Sequence, residues 1–340
     1  MTPHTNRLSR RQFIHMTAIA GLFAASGAGL AARLATPAVR TQETRLLLGS
    51  IANLTIISPY PDQAQAAVAA TFDRMAALED VFSRFRPHSQ LSQLNSDGYI
   101  REAHPALREV LVKAVDYGYL TRGAFDVTIE PVLRLYREAT KTGKLPEPSA
   151  VVAAQELVDY RRIVITGDSV RLDMTGMAIT LDGIAKGYII DAGANALREF
   201  GFEQVMVELG GDLQTHNDAG SRPWQVGIQQ PVPDAVAKTP LVTQVTNMAL
   251  ATSGDYQYTF TPDRRLHHII DPGSGISPGE LASTSVLART ACDADALATA
   301  VMVMGAQAGL ALVEGLPDTA ALVITKQGAV HYSARFPLRQ

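Results

Sequence analysis

The sequence predicts an α+β fold, one domain of mixed, mostly antiparallel sheet packed with helices. Three observations lead there. Strand-like and helix-like segments do not alternate regularly, which disfavours a doubly wound parallel sheet. Arg162–Thr166 and Val170–Asp173 flank Gly167-Asp168, a hairpin signal. Helical stretches show apolar residues every three or four positions, as a face packed on a sheet requires.

The elements follow in order. Leu46 to Ile57 is rich in Leu and Ile around Gly49 and reads as a strand pair or one long strand. Asp62 can cap a helix whose Val68, Phe72, Met75, Leu78 and Phe82 form one face. His104 to Thr121 is a second helix, with Leu107, Val110, Leu111, Ala114, Val115 and Tyr119 as its buried set. Pro146-Glu147-Pro148 is a linker-like break. Met177 to Leu181 reads as an apolar strand, and Ile184 to Phe200 as a helix ended by Gly201. Val205 to Leu209 is a strand running into Gly210-Gly211-Asp212; Gln225–Gln230 and Val242–Ala251 alternate like strands. Helices near Asp295–Met304 and on to Val313 precede a closing hairpin, Ala320 to Tyr332, turning at Lys326-Gln327-Gly328.

Length and composition bound the function. The chain has 340 residues, 46% hydrophobic and 19% charged, enough for a large core and unlike a disordered or collagenous chain. Its first 38 residues hold four Arg and no acid, so the remainder sets 26 basic against 33 acidic residues, a net of −7. Such an acidic body is a poor match for a phosphate backbone, and no nucleic-acid partner is expected. A lone cysteine, Cys292, excludes an internal disulfide and a multi-cysteine zinc site.

The N-terminus reads as an address. Ser9-Arg10-Arg11-Gln12-Phe13-Ile14 precedes an uncharged Ala- and Gly-rich run from Met16 to Ala32, closed by Arg33. This is the pattern of a twin-arginine export signal over residues 1–38, with an exported, periplasmic product. An uncleaved signal would retain the protein at the inner membrane. No membrane-spanning helix is expected after residue 38. Gly27-Ala28-Gly29-Leu30-Ala31-Ala32 matches the dinucleotide-binding pattern in letters, but it lacks the strand, helix and ribose-binding acid that give the pattern meaning.

Six segments could carry chemistry. Asp182-Gly183-Ile184-Ala185-Lys186-Gly187 opens a helix, where free backbone N–H groups, the helix dipole and a lysine suit phosphate; a plain turn with a surface lysine uses the same residues. Asp295 and Thr299 stand one helical turn apart, two hard oxygens on one face, as Mg²⁺ prefers; a first-turn acid and a packed threonine is the bland equivalent. His267-His268-Ile269-Ile270-Asp271-Pro272 offers an imidazole as general base, or one solvated and one packed histidine. Phe85, among Ser83, Arg84 and Arg86, and Phe125, in Gly123-Ala124-Phe125-Asp126, could stack on a planar ring or belong to the core. Ala251-Thr252-Ser253-Gly254-Asp255-Tyr256 reads as a small-polar turn.

Taken together, these segments resemble the ApbE family of FAD:protein FMN transferases. The resemblance runs from about Leu46 to Met304. It rests on Phe82–Arg86 with Ser89 through Asn95, Gly123–Asp126, Gly183–Gly187, Gly210–Asp212, Ala251–Tyr256, His268–Pro272 and Asp295 with Thr299, all in the family's order. It implies a catalytic domain over residues 42–336. In it, Gly183 (through its carbonyl), Asp295 and Thr299 would bind Mg²⁺. Lys186 would bind FAD phosphate. Phe85 and the turn Ala124, Phe125, Asp126 would hold the isoalloxazine and adenine ends. Ile269 and Ile270 would also contact FAD, and Leu48 falls where the family often has Met. His268 would accept the proton of the incoming hydroxyl. One departure stands out: the family usually has an acid six residues before the lysine, where this chain has Thr180, with Asp182 two positions on.

The implied reaction is a phosphotransferase-type step dependent on Mg²⁺. A Thr or Ser hydroxyl of an acceptor protein attacks FAD, AMP leaves, and FMN stays on the acceptor. The partners are FAD and an exported or membrane electron-transport acceptor, with membrane contact only through the signal or that acceptor. A scavenger that binds or hydrolyses FAD without modifying a protein is the alternative.

Overall fold

The computed structural model describes residues 37–231 and 240–339. Apart from residues 37 and 38, the expected export signal lies outside them. The chain starts with a hairpin, β1 (Val39–Leu47) and β2 (Ser50–Ser58), closed by the two-residue turn Leu48-Gly49. Both turn residues have positive φ, 51° and 70°. Such a turn matches the right-handed twist of the strands but strains a residue with a branched side chain.

Helix α1 (Pro61–Phe82) follows, with Tyr60 at its N-cap, Pro61 in its first turn and Asp62 just inside rather than at the cap. Val68, Phe72, Met75 and Phe82 are buried as the spacing required. Next come α2 (Gln90–Asp97), β3 (Tyr99–Ile100) and α3 (Pro105–Leu120), the last started by His104. A short 3-10 turn, Val127–Ile129, leads into α4 (Glu130–Thr142), and the Pro-Glu-Pro break opens α5 (Pro148–Gln155). The hairpin β4 (Ile163–Thr166) and β5 (Ser169–Leu172) pairs with β3 in a small antiparallel sheet.

Helix α6 (Ala185–Glu199), β6 (Val205–Leu209) and β7 (Asp212–His216) come next. The expected strand 242–251 is two elements, β9 (Leu241–Val245) and β10 (Ala249–Gly254), parted at Asn247, whose φ is 52°. β9 pairs with β8 (Trp224–Ile228) and β14 (Leu338–Arg339). β10 joins the main sheet, so Ala251–Gly254 is strand rather than turn. β11 (Leu281–Ala288), α7 (Ala291–Glu314), β12 (Ala320–Thr325) and β13 (Val330–Tyr332) complete the chain.

The main sheet runs β1-β2-β6-β7-β10-β11-β12-β13, antiparallel at every pairing. Both of its faces are covered. Helices α1, α6 and α7 pack on one side, where Leu54, Ile56, Val205, Val207 and Leu209 meet Phe72, Met75, Ile189 and Ile190. On the other side Met206, Leu213, Leu250 and Leu322 meet Val226, Ile228 and Val245 of the three-stranded sheet. Two-sided cover explains why β6 and β11 are buried at every position.

Helix α7 is long and apolar enough to cross a membrane by length and composition. Here it is a core helix lying on β10 and β11. It is broken at Gly305, whose φ of 80° and ψ of 176° leave the helix for one residue. Met177–Leu181 is not a strand. Its Ile179 backbone is held instead by the Asn95 side chain, which accepts from the Ile179 N–H at 2.7 Å and donates to its carbonyl at 2.8 Å, and the Thr180 N–H donates to the Val127 carbonyl at 2.8 Å.

Candidate active site

Two helix starts make the centre of the site. α6 begins after Ile184, whose side chain caps nothing; the Ala185 N–H donates to the Leu181 carbonyl at 2.9 Å instead. α7 is capped twice: Thr290 Oγ1 accepts from the Asp293 N–H at 3.1 Å, and the Asp191 carboxylate on α6 accepts from the Ala291 and Cys292 N–H groups at 2.7 and 2.9 Å. Burial pushes Asp191 up to about 7 against those bonds. The two starts approach so closely that a Cβ on Gly187 would lie 2.2 Å from the Ala291 carbonyl oxygen. The Gly187 N–H then reaches Asp295 Oδ2 at 3.1 Å.

Lys186 and Asp295 meet through this contact. Lys186 Nζ lies 2.7 Å from Asp212 Oδ2, and Asp212 Oδ1 accepts from the Thr252 N–H at 2.8 Å. Burial opposes the ammonium charge, but Asp212 and Asp295 outweigh it and raise the lysine pKa. Burial pushes Asp295 up and Asp212 adds to that, while Lys186 draws it back.

Thr299, one turn after Asp295, sits 3.2 Å from Ser253 Oγ. A Cβ on Gly183 would fall 2.9 Å from Thr299 Oγ1, so only glycine lets the Gly183 backbone lie against that hydroxyl. The Gly183 carbonyl, the Asp295 carboxylate and the Thr299 hydroxyl are hard oxygen donors of the kind a small divalent cation takes, together with water and substrate oxygens. No group of three His, Cys, Asp or Glu side chains gathers among the described residues, here or elsewhere. Cys292 is buried and its thiol is held well above its ordinary range, chiefly by burial, which removes it as a nucleophile.

The adjacent histidines part ways, their rings 6.4 Å apart and turned by 68°. His267 is fully buried, its Nε2 3.2 Å from the Pro278 carbonyl, and burial lowers it to about 4. His268 faces the cavity. Its Nδ1 lies 3.1 Å from the Tyr258 carbonyl. A carbonyl can only accept, so Nδ1 carries the proton and Nε2 keeps its lone pair. Burial lowers the His268 pKa more than the Tyr258 carbonyl and Asp182 raise it, which keeps the ring neutral.

Gly183, Lys186, His268, Asp295 and Thr299 line one cavity of about 700 Å³. So do Leu48, Phe85, Ala124, Phe125, Asp126, Thr180, Ile269 and Ile270, so that every residue singled out in the sequence for binding, metal or proton transfer reaches the same space. Their situations differ. Phe85 is 76% exposed at the mouth, with the Arg84 guanidinium 4.1 Å above its ring and bound to Asp182 at 2.9 and 3.2 Å. Asp182 is thus paired with Arg84 on the cavity wall. Thr180 Oγ1 accepts from the Asp182 N–H at 3.2 Å. Asp126 spends its carboxylate on the Thr128 N–H, the Thr128 hydroxyl and the Tyr160 N–H, at 2.8, 2.6 and 3.1 Å, so it shapes the turn that presents Ala124 and Phe125. Asp212, Arg84 and Tyr258 escaped sequence reasoning as site residues. Asp212 ended a Gly-Gly-Asp run, but no spacing rule pairs it with Lys186.

A sequence model described as the ApbE family matches residues 48–323. A FAD:protein FMN transferase of Vibrio cholerae is 27% identical over 307 residues, covering 88% of this chain and 92% of its own. One from Haemophilus influenzae is 30% identical over 254 residues, covering 70% and 73%. Among solved structures, the flavin transferase ApbE of Vibrio cholerae superposes with a TM-score of 0.74 at 26% identity, over 88% of this chain and 99% of its own. The ApbE protein of Thermotoga maritima gives 0.76 at 26% identity, over 87% and 97%. With four fifths of its length matched by one family, and the fold shared with that family's solved members, the chain belongs to the ApbE family.

Proposed function

We propose that this protein transfers FMN from FAD to a Thr or Ser hydroxyl of an acceptor protein in a Mg²⁺-dependent reaction that releases AMP. The observation that carries the reading is the convergence of Lys186, three oxygen donors and the free Nε2 of His268 on one cavity. The names of the similar proteins, FAD:protein FMN transferases, support the substrate and the kind of acceptor.

In this reading the FAD pyrophosphate lies against the start of α6 and Lys186, where the positive end of the helix dipole and a cation meet negative charge. Gly183, Asp295 and Thr299 hold Mg²⁺, which when bound neutralises charge on the pyrophosphate oxygens. His268 Nε2 takes the proton of the acceptor hydroxyl as its oxygen bonds to the FMN-side phosphorus. The bond from that phosphorus to the bridging oxygen breaks, and AMP leaves with the oxygen. Lys186, held charged by Asp212, faces the charge that builds on the departing phosphate. Leu48, Phe85, Phe125, Ile269 and Ile270 provide apolar surface for the rings, and Thr180 offers a hydroxyl in place of the usual acid.

The same proposal reads residues 1–38 as an export signal and residues 42–336 as the catalytic domain, acting in the periplasm on electron-transport proteins. The test incubates the protein with FAD, Mg²⁺ and a flavin-acceptor domain, denatures, and reads flavin fluorescence and mass gain on the acceptor, with and without EDTA. A metal-dependent adduct on Thr or Ser is the expected result. AMP and FMN released without any adduct, across several acceptors, would replace transfer by hydrolysis.

A further inference from the structure

The wall of the cavity formed by α4 carries a charge that the reading above does not use. Arg137 lines the cavity beside Ile129, Leu133, Phe260 and Ile270. Its side chain is 19% exposed, and its only hydrogen bond among the described residues runs from Nη2 to Glu130 Oε1. Glu130, two turns earlier on the same face of α4, is 7% exposed, and its Oε2 has no hydrogen-bond partner among the described residues. A guanidinium carries five N–H donors. Here a carboxylate behind it holds one, and the head stands at a wall of apolar side chains. No Arg137 nitrogen is buried without a partner, so the unused donors open to the cavity rather than into the core. The arrangement makes sense when a ligand supplies acceptors to the remaining donors.

The two ends of the cavity differ. The end at Gly49, Phe85 and Arg86 is exposed, whereas Phe125, Ile129, Leu133 and Ile270 are buried. Granting FMN transfer from FAD, the flavin must depart attached to a protein, which requires the open end. AMP departs as a free small molecule and can occupy the enclosed one. We infer that Arg137, braced by Glu130, is a recognition residue for the adenosine half of FAD, donating its unused N–H groups to acceptor nitrogens of the purine ring.

Binding of the two product halves tests this without any acceptor protein. Dissociation constants for AMP, FMN and FAD are measured on the wild type, on Arg137→Gln and on the double variant Glu130→Gln/Arg137→Gln. The double variant removes both charges, so a buried lone carboxylate cannot confuse the result. The expected outcome is AMP and FAD weakened about tenfold in both variants with FMN unchanged. Unchanged AMP binding in the double variant overturns the assignment, and so does a loss confined to FMN, which would place the flavin at the α4 end. A wild type that binds neither FAD nor its halves would instead refute the proposed function itself.

Discussion

At the scale of single residues, the two neighbouring histidines make separate predictions. His268→Gln keeps the ring's volume near that of the pocket but loses the Nε2 base. FAD binding should stay within twofold while transfer falls about 10²–10⁴-fold; a transfer rate equal to wild type would remove His268 as the base. His267 acts on stability. The unfolded chain protonates it near pH 6.5, while the folded ring resists to about 4. Stability therefore falls as pH drops through that window, by about 3 kcal/mol. Urea unfolding at pH 7 and pH 4 should show that part of the loss absent in His267→Gln. Leu48 offers the opposite trade. Its φ of 51° suits asparagine better than leucine, so Leu48→Asn should raise the unfolding free energy by up to about 1 kcal/mol while weakening FAD binding. Simultaneous loss of both would show that the side chain, not the backbone, limits stability there. Residue types were the most legible layer of the site, because phosphate, cation and proton chemistry each demand particular side chains. What the letters could not show was which of them were already spent. Asp126 and Asp182 look like free carboxylates in the sequence, yet one is consumed by its own turn and the other by Arg84.

At the scale of elements, the contact between α6 and α7 sets the geometry. Gly187→Ala would ordinarily favour a helix, but its methyl meets the Ala291 carbonyl. The expected result is a loss of about 1–3 kcal/mol in thermal or denaturant unfolding. A fall in metal-dependent activity should accompany it, since Lys186 and Asp295 ride on the two helices being pushed apart. A stabilised, fully active variant would show that the helix starts have room to separate. Helices α1 and α3 were legible because one apolar face lies on a core and the other in water. β11 was not, because its eight residues are buried on both faces and mix Ser, Thr and Ala with Leu and Val, so no alternation appears. Ala251–Gly254 looked like a turn for a related reason. Small side chains let β10 pass beneath α7, and smallness resembles turn chemistry in the sequence.

At the scale of the whole molecule, the cavity draws on the β1–β2 turn, the loop after α1, the approach to α4, the start of α6, β10, the His268 loop and α7. A ligand that fills it ties distant parts of the chain together, so binding should appear as global stability. Saturating FAD with Mg²⁺ is expected to raise Tm by several degrees and EDTA to remove most of the gain; a Tm indifferent to both would mean that these walls do not close on a common ligand. Fold class was legible from the irregular order of strands and helices. The β2-to-β6 neighbourhood was not, because it brings together segments separated by most of the helices.

If the proposed export signal is used, helix α7 has a further consequence. Threaded unfolded through a membrane pore, Ala291–Glu314 would present a run of 24 residues with the look of a lipid-spanning segment, and it risks being released sideways into the bilayer. Once it is folded, its apolar face lies on β10 and β11 and Asp295 is already seated against the Gly187 N–H. A twin-arginine address, which commits a protein to transport after folding, would remove that hazard, and the core of the enzyme would then constrain the route by which it is delivered.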